Sequence, residues 1–176
     1  MKTIAFDIET RDIRPDDEKS LAALGLAVTY DGKRFQTWFT KAELCDYLRA
    51  EVAKGATLVG HNAIDFDLVV LGCADLAHAT VDTMLPVVAQ TAVRGKGYAS
   101  LDTLARYTLG QRKIDVKGDG GACGLADRGR NGDRAALMLC IDYCKQDTKL
   151  AHDLYMFGKK HGYLLTEGNL KINVAF

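Results

Sequence analysis

The segment TIAFDIE near the N-terminus alternates apolar and polar positions. This alternation predicts a β-strand that carries Ile4, Phe6 and Ile8 on one face. Asp7 and Glu9 fall on the other face, so their carboxylates point the same way. Two like charges at this spacing repel each other, and a bound cation is the usual reason for placing them together.

The rest of the pattern predicts further strands and helices in alternation. Asp31-Gly32 separates two strand-like runs and is a strong hairpin signal. The predicted elements are strands at 3–9, 23–30 and 34–39, a helix at 41–54, a strand at 56–60, a helix at 65–76, a short strand at 79–84, helices at 100–109 and 133–160, and a final strand at 170–176. This order predicts an α/β fold with a central mixed β-sheet flanked by helices. Without repeats or a change of composition, we expect one domain over 1–176.

The region before the last predicted helix has no sustained periodicity. Residues 110–132 contain seven glycines, which predicts a long mobile loop with at most one short element. Between residues 94 and 134, nine Lys or Arg stand against five Asp or Glu. Arg112, Lys113 and Lys117 are by default a solvated basic stretch. They become candidates for phosphate contact if the neighbouring site handles nucleic acid.

The composition argues against several classes of protein. The 176 residues have a formal net charge of zero, which argues against binding nucleic acid by bulk electrostatics. No apolar run approaches the roughly 20 residues that span a bilayer, and the segment MKTIAFDIET has no apolar core of signal-peptide length. Five cysteines without a CxxC pair predict free thiols rather than a zinc site. We therefore expect a cytoplasmic protein that does not contact membranes.

Acidic residues recur in three short segments, at 5–10, 60–68 and 143–147. If the strand at 56–60 lies beside the first strand, it ends at the loop that carries Asp67. The late helix would then bring Tyr143 and Asp147, which lie one turn apart, over the same edge. Carboxylates gathered in this way suit Mg²⁺ or Mn²⁺, which prefer oxygen ligands.

These segments resemble the three motifs of the DEDD 3′–5′ exonucleases, which have a ribonuclease H-like fold. FDIET is similar to the first motif and GHNAIDFDL to the second, and YCKQD fits the third in its tyrosine form, Tyr-x-x-x-Asp. The segments VDTM and SLDTLARYTLG also look like linking segments of that family. The likeness covers roughly residues 3–155, and three motifs in order are far more specific than any one of them.

The resemblance implies a set of roles. Two Mg²⁺ or Mn²⁺ ions would be bound by four acids: Asp7, Glu9, Asp67 and Asp147. Tyr143 would orient the attacking water. The substrate would be contacted by five residues: Ile8, Thr10, His61, Asn62 and Phe66. The implied reaction releases nucleoside 5′-monophosphates from single-stranded or frayed 3′ ends, with DNA slightly favoured over RNA.

The sequence is also compatible with alternative residues and alternative functions. Asp65 competes with Asp67 for the second motif, and Asp82 and Asp102 are expected in turns or caps. A subunit that only holds a 3′ end and an oligoribonuclease-like degrader of short oligonucleotides are alternative functions. A protein partner is a candidate source of processivity or specificity.

Overall fold

A five-stranded mixed β-sheet forms the centre of the computed structural model, which describes residues 2–11, 23–91 and 99–176. Its strands are β1 (Thr3–Arg11), β2 (Ala23–Tyr30), β3 (Phe35–Trp38), β4 (Thr57–Gly60) and β5 (Thr80–Asp82). Their order is β3-β2-β1-β4-β5. β1 runs antiparallel to β2 and parallel to β4, which places it in the middle of the sheet.

The helices flank this sheet. They are α1 (Lys41–Ala53), α2 (Asp67–Leu71), α3 (Leu85–Thr91), α4 (Leu101–Leu104, continued by a π-helix at Ala105–Leu109), α5 (Gly121–Arg130) and α6 (Arg134–His161). Within the described ranges, 3-10 helices lie at Ala74–Ala79, Lys117–Asp119 and Glu167–Asn169. The predicted cap of the last helix is confirmed, because the Asp133 side chain accepts a hydrogen bond from the Ala136 amide at 3.0 Å.

Two predicted elements differ in their extent. The helix expected at 65–76 ends early, because Gly72 takes a left-handed conformation (φ 73°) and a 3-10 helix follows. The predicted C-terminal strand exists as β7 (Leu170–Asn173). It pairs with β6 (Tyr163–Thr166), which the sequence pattern did not indicate, in a separate two-stranded sheet.

The prediction of a long loop over 110–132 is wrong for its second half, where α5 forms. Leu125 and Ala126 of this helix are fully buried. Gly129 lies so close to α6 that an added Cβ would stand 2.9 Å from the Leu137 Cα. Small residues allow this close contact, and Leu125 is the single large apolar residue of α5, too few for a helical hydrophobic period to be recognised in the sequence.

The two faces of the sheet have different coverings. Ile4, Phe6 and Ile8 pack in an apolar cluster with residues of α1 and α2, such as Leu44 and Leu68. Leu26 and Val28 of β2 instead pack against α5 and α6 on the opposite face. The alternation predicted for β1 is therefore confirmed.

The prediction that all cysteines are free thiols is wrong for one pair. Cys45 of α1 and Cys73, which follows α2, form a disulfide with their Cα atoms 6.4 Å apart. They are 28 residues apart in sequence and meet only because α1 packs against α2. Cysteine usage therefore gives no support to a reducing compartment. Within the described ranges, no helix is both long and apolar enough to span a bilayer.

Candidate active site

Asp7 and Glu9 stand side by side on the face of β1 that lies under α6. They are paired across the sheet with Val28 and Leu26 of β2. Glu9 is only 8% exposed and Asp7 is half-buried. Immediately after Glu9 the pairing with β2 shifts by one residue at a β-bulge. Bulges are frequent next to active sites because they redirect the strand.

Asp67 reaches the same strand from the start of α2. Its Oδ1 accepts a hydrogen bond from the Ile8 amide at 3.1 Å, which fixes the carboxylate beside Asp7. The loop before it is held by Asp82, which accepts hydrogen bonds from the amides of Asn62 (2.9 Å) and Ile64 (3.2 Å). Asp82, the last residue of β5, thus acts as a cap for the amides of this loop.

Helix α6 supplies three side chains to the cluster. Cys144 is fully buried, and its Sγ lies 3.4 Å from Asp7 Oδ2. Asp147 lies next to it on the helix and is 4% exposed. Tyr143 is half-buried one turn before Asp147. Asp142 is exposed and pairs with Lys145, so it takes no part in the cluster.

Lys113 brings a positive charge into the cluster that the sequence patterns did not assign there. Its ammonium forms an ion pair with Asp147 Oδ2 and lies 4.8 Å from the centre of the Tyr143 ring. The backbone on either side is held in place. Asp102 accepts from the Lys113 amide at 3.0 Å, and Gln146 accepts from the Ile114 amide. The sequence signal was the basic stretch that contains Arg112, Lys113 and Lys117, without a reason to choose Lys113 among its neighbours.

Burial of these acids beside one another raises their pKa values. Burial, followed by the charge of Asp147, raises the pKa of Asp7 to about 7. Burial and the neighbouring Asp7 raise the pKa values of Glu9 and Asp67 well above their ordinary range. Burial also raises the pKa of Asp147, although the ion pair with Lys113 acts in the opposite direction.

The phenol and the ammonium are shifted as well. Burial and the charge of Asp147 raise the pKa of Tyr143 above its ordinary value of 10. Burial alone would lower the pKa of Lys113, but attraction to Asp147 and Tyr143 outweighs burial and the pKa is raised. Near neutral pH, Tyr143 is therefore a neutral phenol and Lys113 a cation.

The donor set fits a hard divalent cation. Four carboxylates from β1, α2 and α6 lie near enough to raise one another's pKa values, and ligand atoms of Asp7 and Glu9 lie within 4.8 Å of each other. Oxygen ligands are those that Mg²⁺ and Mn²⁺ prefer. Among the described residues, Asp147 Oδ1 is the buried side-chain polar atom that lacks a hydrogen-bond partner. A buried carboxylate oxygen without a donor is stabilised when a cation binds it.

The five residues that the resemblance assigned to substrate binding lie in different surroundings. Ile8 packs in the apolar cluster on the far face of β1, away from the acids. Thr10 is buried, with Oγ1 3.6 Å from Cys123 Sγ. Phe66 packs partly buried against the apolar cluster of Ile8.

His61 and Asn62 lie in the loop after β4. His61 Nδ1 lies 3.0 Å from the Thr83 hydroxyl. Burial and the charge of Lys113 lower its pKa to about 3, so the ring is neutral near neutral pH. Asn62 takes a left-handed backbone conformation (φ 61°), which turns the chain towards α2.

A cleft of about 520 Å³ opens beside Tyr143 and Lys113. One wall is formed by Ser100, Leu101 and Asp102 at the start of α4. The other is formed by the segment 112–117, which includes Arg112, Lys113 and Lys117. The basic stretch noted in the sequence thus borders the carboxylate cluster.

Comparison with known proteins supports the fold. No protein-family model and no curated protein matches the chain. Among solved structures, the chain is similar to the family B DNA polymerase from the hyperthermophilic archaeon Pyrobaculum calidifontis, with a TM-score of 0.67 and 15% sequence identity. The match covers 90% of this chain and 24% of the polymerase chain.

At this identity the likeness concerns the fold. The five-stranded mixed sheet flanked by helices is the ribonuclease H-like α/β architecture that the motifs led us to expect. The predicted fold class is therefore confirmed. The chain spans about a quarter of the polymerase it resembles.

Proposed function

We propose that this chain is a metal-dependent 3′–5′ exonuclease of the tyrosine-type DEDD group, acting on single-stranded or frayed 3′ ends. One observation carries the proposal. Acids from three separate elements meet on one strand, next to a buried Asp147 oxygen that has no protein partner among the described residues. Nothing in the packing of the fold requires such a cluster, and its mutual repulsion opposes folding.

Asp7, Glu9, Asp67 and Asp147 would hold two Mg²⁺ or Mn²⁺ ions. Such ions, when bound, lower the pKa of water and stabilise the charge of the leaving oxygen. The carboxylates therefore need not act as strong bases. Their part is to gather the cations at one point of β1, between α2 and α6.

Tyr143 would orient the attacking water rather than deprotonate it. Its pKa is raised, so the hydroxyl keeps its proton at neutral pH and serves as a hydrogen-bond donor. Its place one helical turn from Asp147 keeps the hydroxyl beside the acids.

Lys113 would place a positive charge where the scissile phosphate enters. It pairs with Oδ2 of Asp147, while Oδ1 of the same carboxylate has no protein partner. One acid can thus serve the lysine and a cation together. The ammonium also borders the cleft, where it can form a charge-assisted hydrogen bond with a phosphate oxygen.

The cleft would receive the strand. Arg112 and Lys117 line it and are suited to contact phosphates, which position a strand without reading its sequence. The structural likeness to a DNA polymerase favours nucleic acid, and DNA before RNA. Because the net charge is zero, the positive charge acts locally at this cleft.

The test uses matched DNA and RNA oligonucleotides labelled at either end, incubated with Mg²⁺ or Mn²⁺. We expect stepwise shortening of the 5′-labelled strand and release of a labelled mononucleotide from the 3′-labelled strand. Asp7→Asn should abolish both. Asp142→Asn, an exposed acid on the same helix as Tyr143, should retain both.

Other outcomes would identify the alternatives. Binding without cleavage by the wild type in Mn²⁺ would contradict the proposal and indicate a subunit that holds 3′ ends. Activity confined to dinucleotides would instead indicate a degrader of short oligonucleotides.

A further inference from the structure

Cys144 places a thiol directly against the acids of β1. Its Sγ lies 3.4 Å from Asp7 Oδ2 and 3.5 Å from the Asp7 carbonyl oxygen. Asp7, Glu9 and Cys144 each offer one ligand atom, and these three atoms lie within 4.8 Å of one another. Zinc–oxygen bonds of about 2.0–2.2 Å and zinc–sulfur bonds of about 2.3 Å put neighbouring ligand atoms of one ion roughly 3–4 Å apart. Small side-chain rotations therefore suffice to bring all three onto one ion.

A second observation points to a ligand at the same place. Asp147 follows Cys144 by three residues on α6, so both side chains lie on one side of the helix. Its Oδ1 is buried and lacks a protein partner among the described residues. Its charge also raises the pKa values of both Asp7 and Glu9, so its carboxylate lies near these two acids. Asp147 is thus available as a fourth ligand.

We propose that Cys144, together with Asp7, Glu9 and Asp147, forms a mixed sulfur and oxygen site for Zn²⁺ or a similar thiophilic divalent cation. A thiolate prefers such ions to Mg²⁺, and Zn²⁺ commonly takes four ligands of this kind. The thiol proton is released to solvent on binding, because the thiolate is the coordinating form.

The consequence for the proposed nuclease is inhibition. Zn²⁺ held by the thiolate would occupy Asp7 and Glu9, the acids assigned to Mg²⁺ or Mn²⁺. It would also fix Asp7 towards α6. Low zinc concentrations should therefore stop cleavage even with Mg²⁺ in large excess. This consequence rests on the proposed function, whereas the coordination itself can be measured without a substrate.

The other cysteines provide controls. Cys140 lies one turn before Cys144 on α6 and is also a free, fully buried thiol. Its Sγ lies against the Ala122 carbonyl at 3.9 Å. Cys45 and Cys73 are joined in a disulfide on the α1 and α2 face and offer no thiolate. Cys140→Ser thus removes an equally buried thiol without touching the proposed ligands.

The experiment titrates Co²⁺, a spectroscopic substitute for Zn²⁺, into the wild type, Cys144→Ser and Cys140→Ser without reductant. We expect a near-ultraviolet sulfur-to-cobalt charge-transfer band in the wild type and in Cys140→Ser, and none in Cys144→Ser. Competition with a chromophoric chelator should show that Cys144→Ser lowers the ratio of Zn²⁺ affinity to Mg²⁺ affinity at least about tenfold. A merely structural role of the thiol would weaken both metals alike.

Two results would overturn the inference. One is Co²⁺ binding to the wild type, shown by calorimetry, without the band; the other is a band that persists in Cys144→Ser. If Cys144→Ser fails to fold, cadmium NMR of the wild type and Cys140→Ser decides, because the chemical shift reports whether sulfur is a ligand. Failure of the exonuclease proposal is separate, since it appears as absent cleavage in Mn²⁺ whatever the cobalt spectrum.

Discussion

The two faces of the central sheet differ in what their side chains do. On one face, Ile4, Phe6 and Ile8 of β1 are buried in an apolar cluster that also contains the Cys45–Cys73 disulfide. The polar side chains of the candidate active site lie on the other face.

On that face, the same strand presents Asp7 and Glu9 to α6, which adds Asp147, Cys144 and Tyr143. One strand therefore serves both purposes by simple alternation.

Stability and the proposed chemistry are therefore carried by different residues of β1. The apolar face lowers the free energy of the fold through burial. The acidic face raises it in the absence of a cation, because buried carboxylates resist ionisation and repel one another. Neighbouring substitutions on β1 should therefore have opposite consequences.

The largest effect is expected from Asp7→Asn. Removing this carboxylate should lower the rate of cleavage at least about a thousandfold, or about 4 kcal/mol, because the site would lose one of the four acids that would hold the metal ions. The fold should be as stable as the wild type or more stable without metal, since one repelling charge is gone. Cleavage of labelled strands and urea unfolding measure the two quantities.

Phe6→Ala, one residue away, should do the opposite. Loss of a fully buried aromatic side chain from the apolar cluster should lower the free energy of unfolding by about 3–5 kcal/mol. Cleavage per folded molecule should stay close to that of the wild type at low temperature. If Phe6→Ala abolished cleavage in fully folded protein, the two faces would not be separable.

Gln146→Leu tests whether Lys113 is positioned from α6. The Gln146 side chain accepts from the Ile114 amide and donates to the Arg112 carbonyl at 3.1 Å, on either side of Lys113. Losing both bonds should lower the rate of cleavage about tenfold to a hundredfold, with little change in stability.

Gln146→Glu is the matched control, since it keeps the acceptor for the Ile114 amide and should fall between Gln146→Leu and the wild type. Equal rates in all three proteins would mean that Gln146 does not position Lys113 for cleavage.

The smallest expected effect is a dependence of stability on pH. The pKa of Asp7 is about 7 in the folded protein, above its ordinary value of 3.8. Between these values the folded state holds a proton at Asp7 that the unfolded state has lost, so the contribution of Asp7 to the free energy of unfolding should fall as pH rises from about 4 to about 7. The lowered pKa of His61 acts in the opposite direction, so the contribution of Asp7 is measured as the difference between the wild type and Asp7→Asn.

Added Mg²⁺ should restore stability at about pH 8 and change little near pH 5, as urea unfolding would show. If the stability of the wild type relative to Asp7→Asn rose over this range without metal, the raised pKa of Asp7 would be contradicted.

The sequence singled out the four acids as candidates, but not the side chains that lie beside them. Asp7 and Glu9 follow from strand alternation, and Asp67 and Asp147 from the motifs. Lys113 and Cys144 come to the site through docking of the 112–117 segment and α6, which no local pattern encodes.

Helix α5 was not predicted from the sequence for a related reason. Apart from Leu125, its buried residues are alanine and glycine, which carry little hydrophobic signal. The Cys45–Cys73 disulfide likewise depends on a contact between residues distant in sequence.

The most direct test of the acidic face is a Mn²⁺ titration followed by electron spin resonance, with wild type and Asp7→Asn side by side. We expect the wild type to bind two Mn²⁺ ions in the range that supports cleavage. Asp7→Asn should bind fewer ions and more weakly. A wild type that binds no Mn²⁺ at millimolar concentration, or an Asp7→Asn variant that binds it unchanged, would contradict the account.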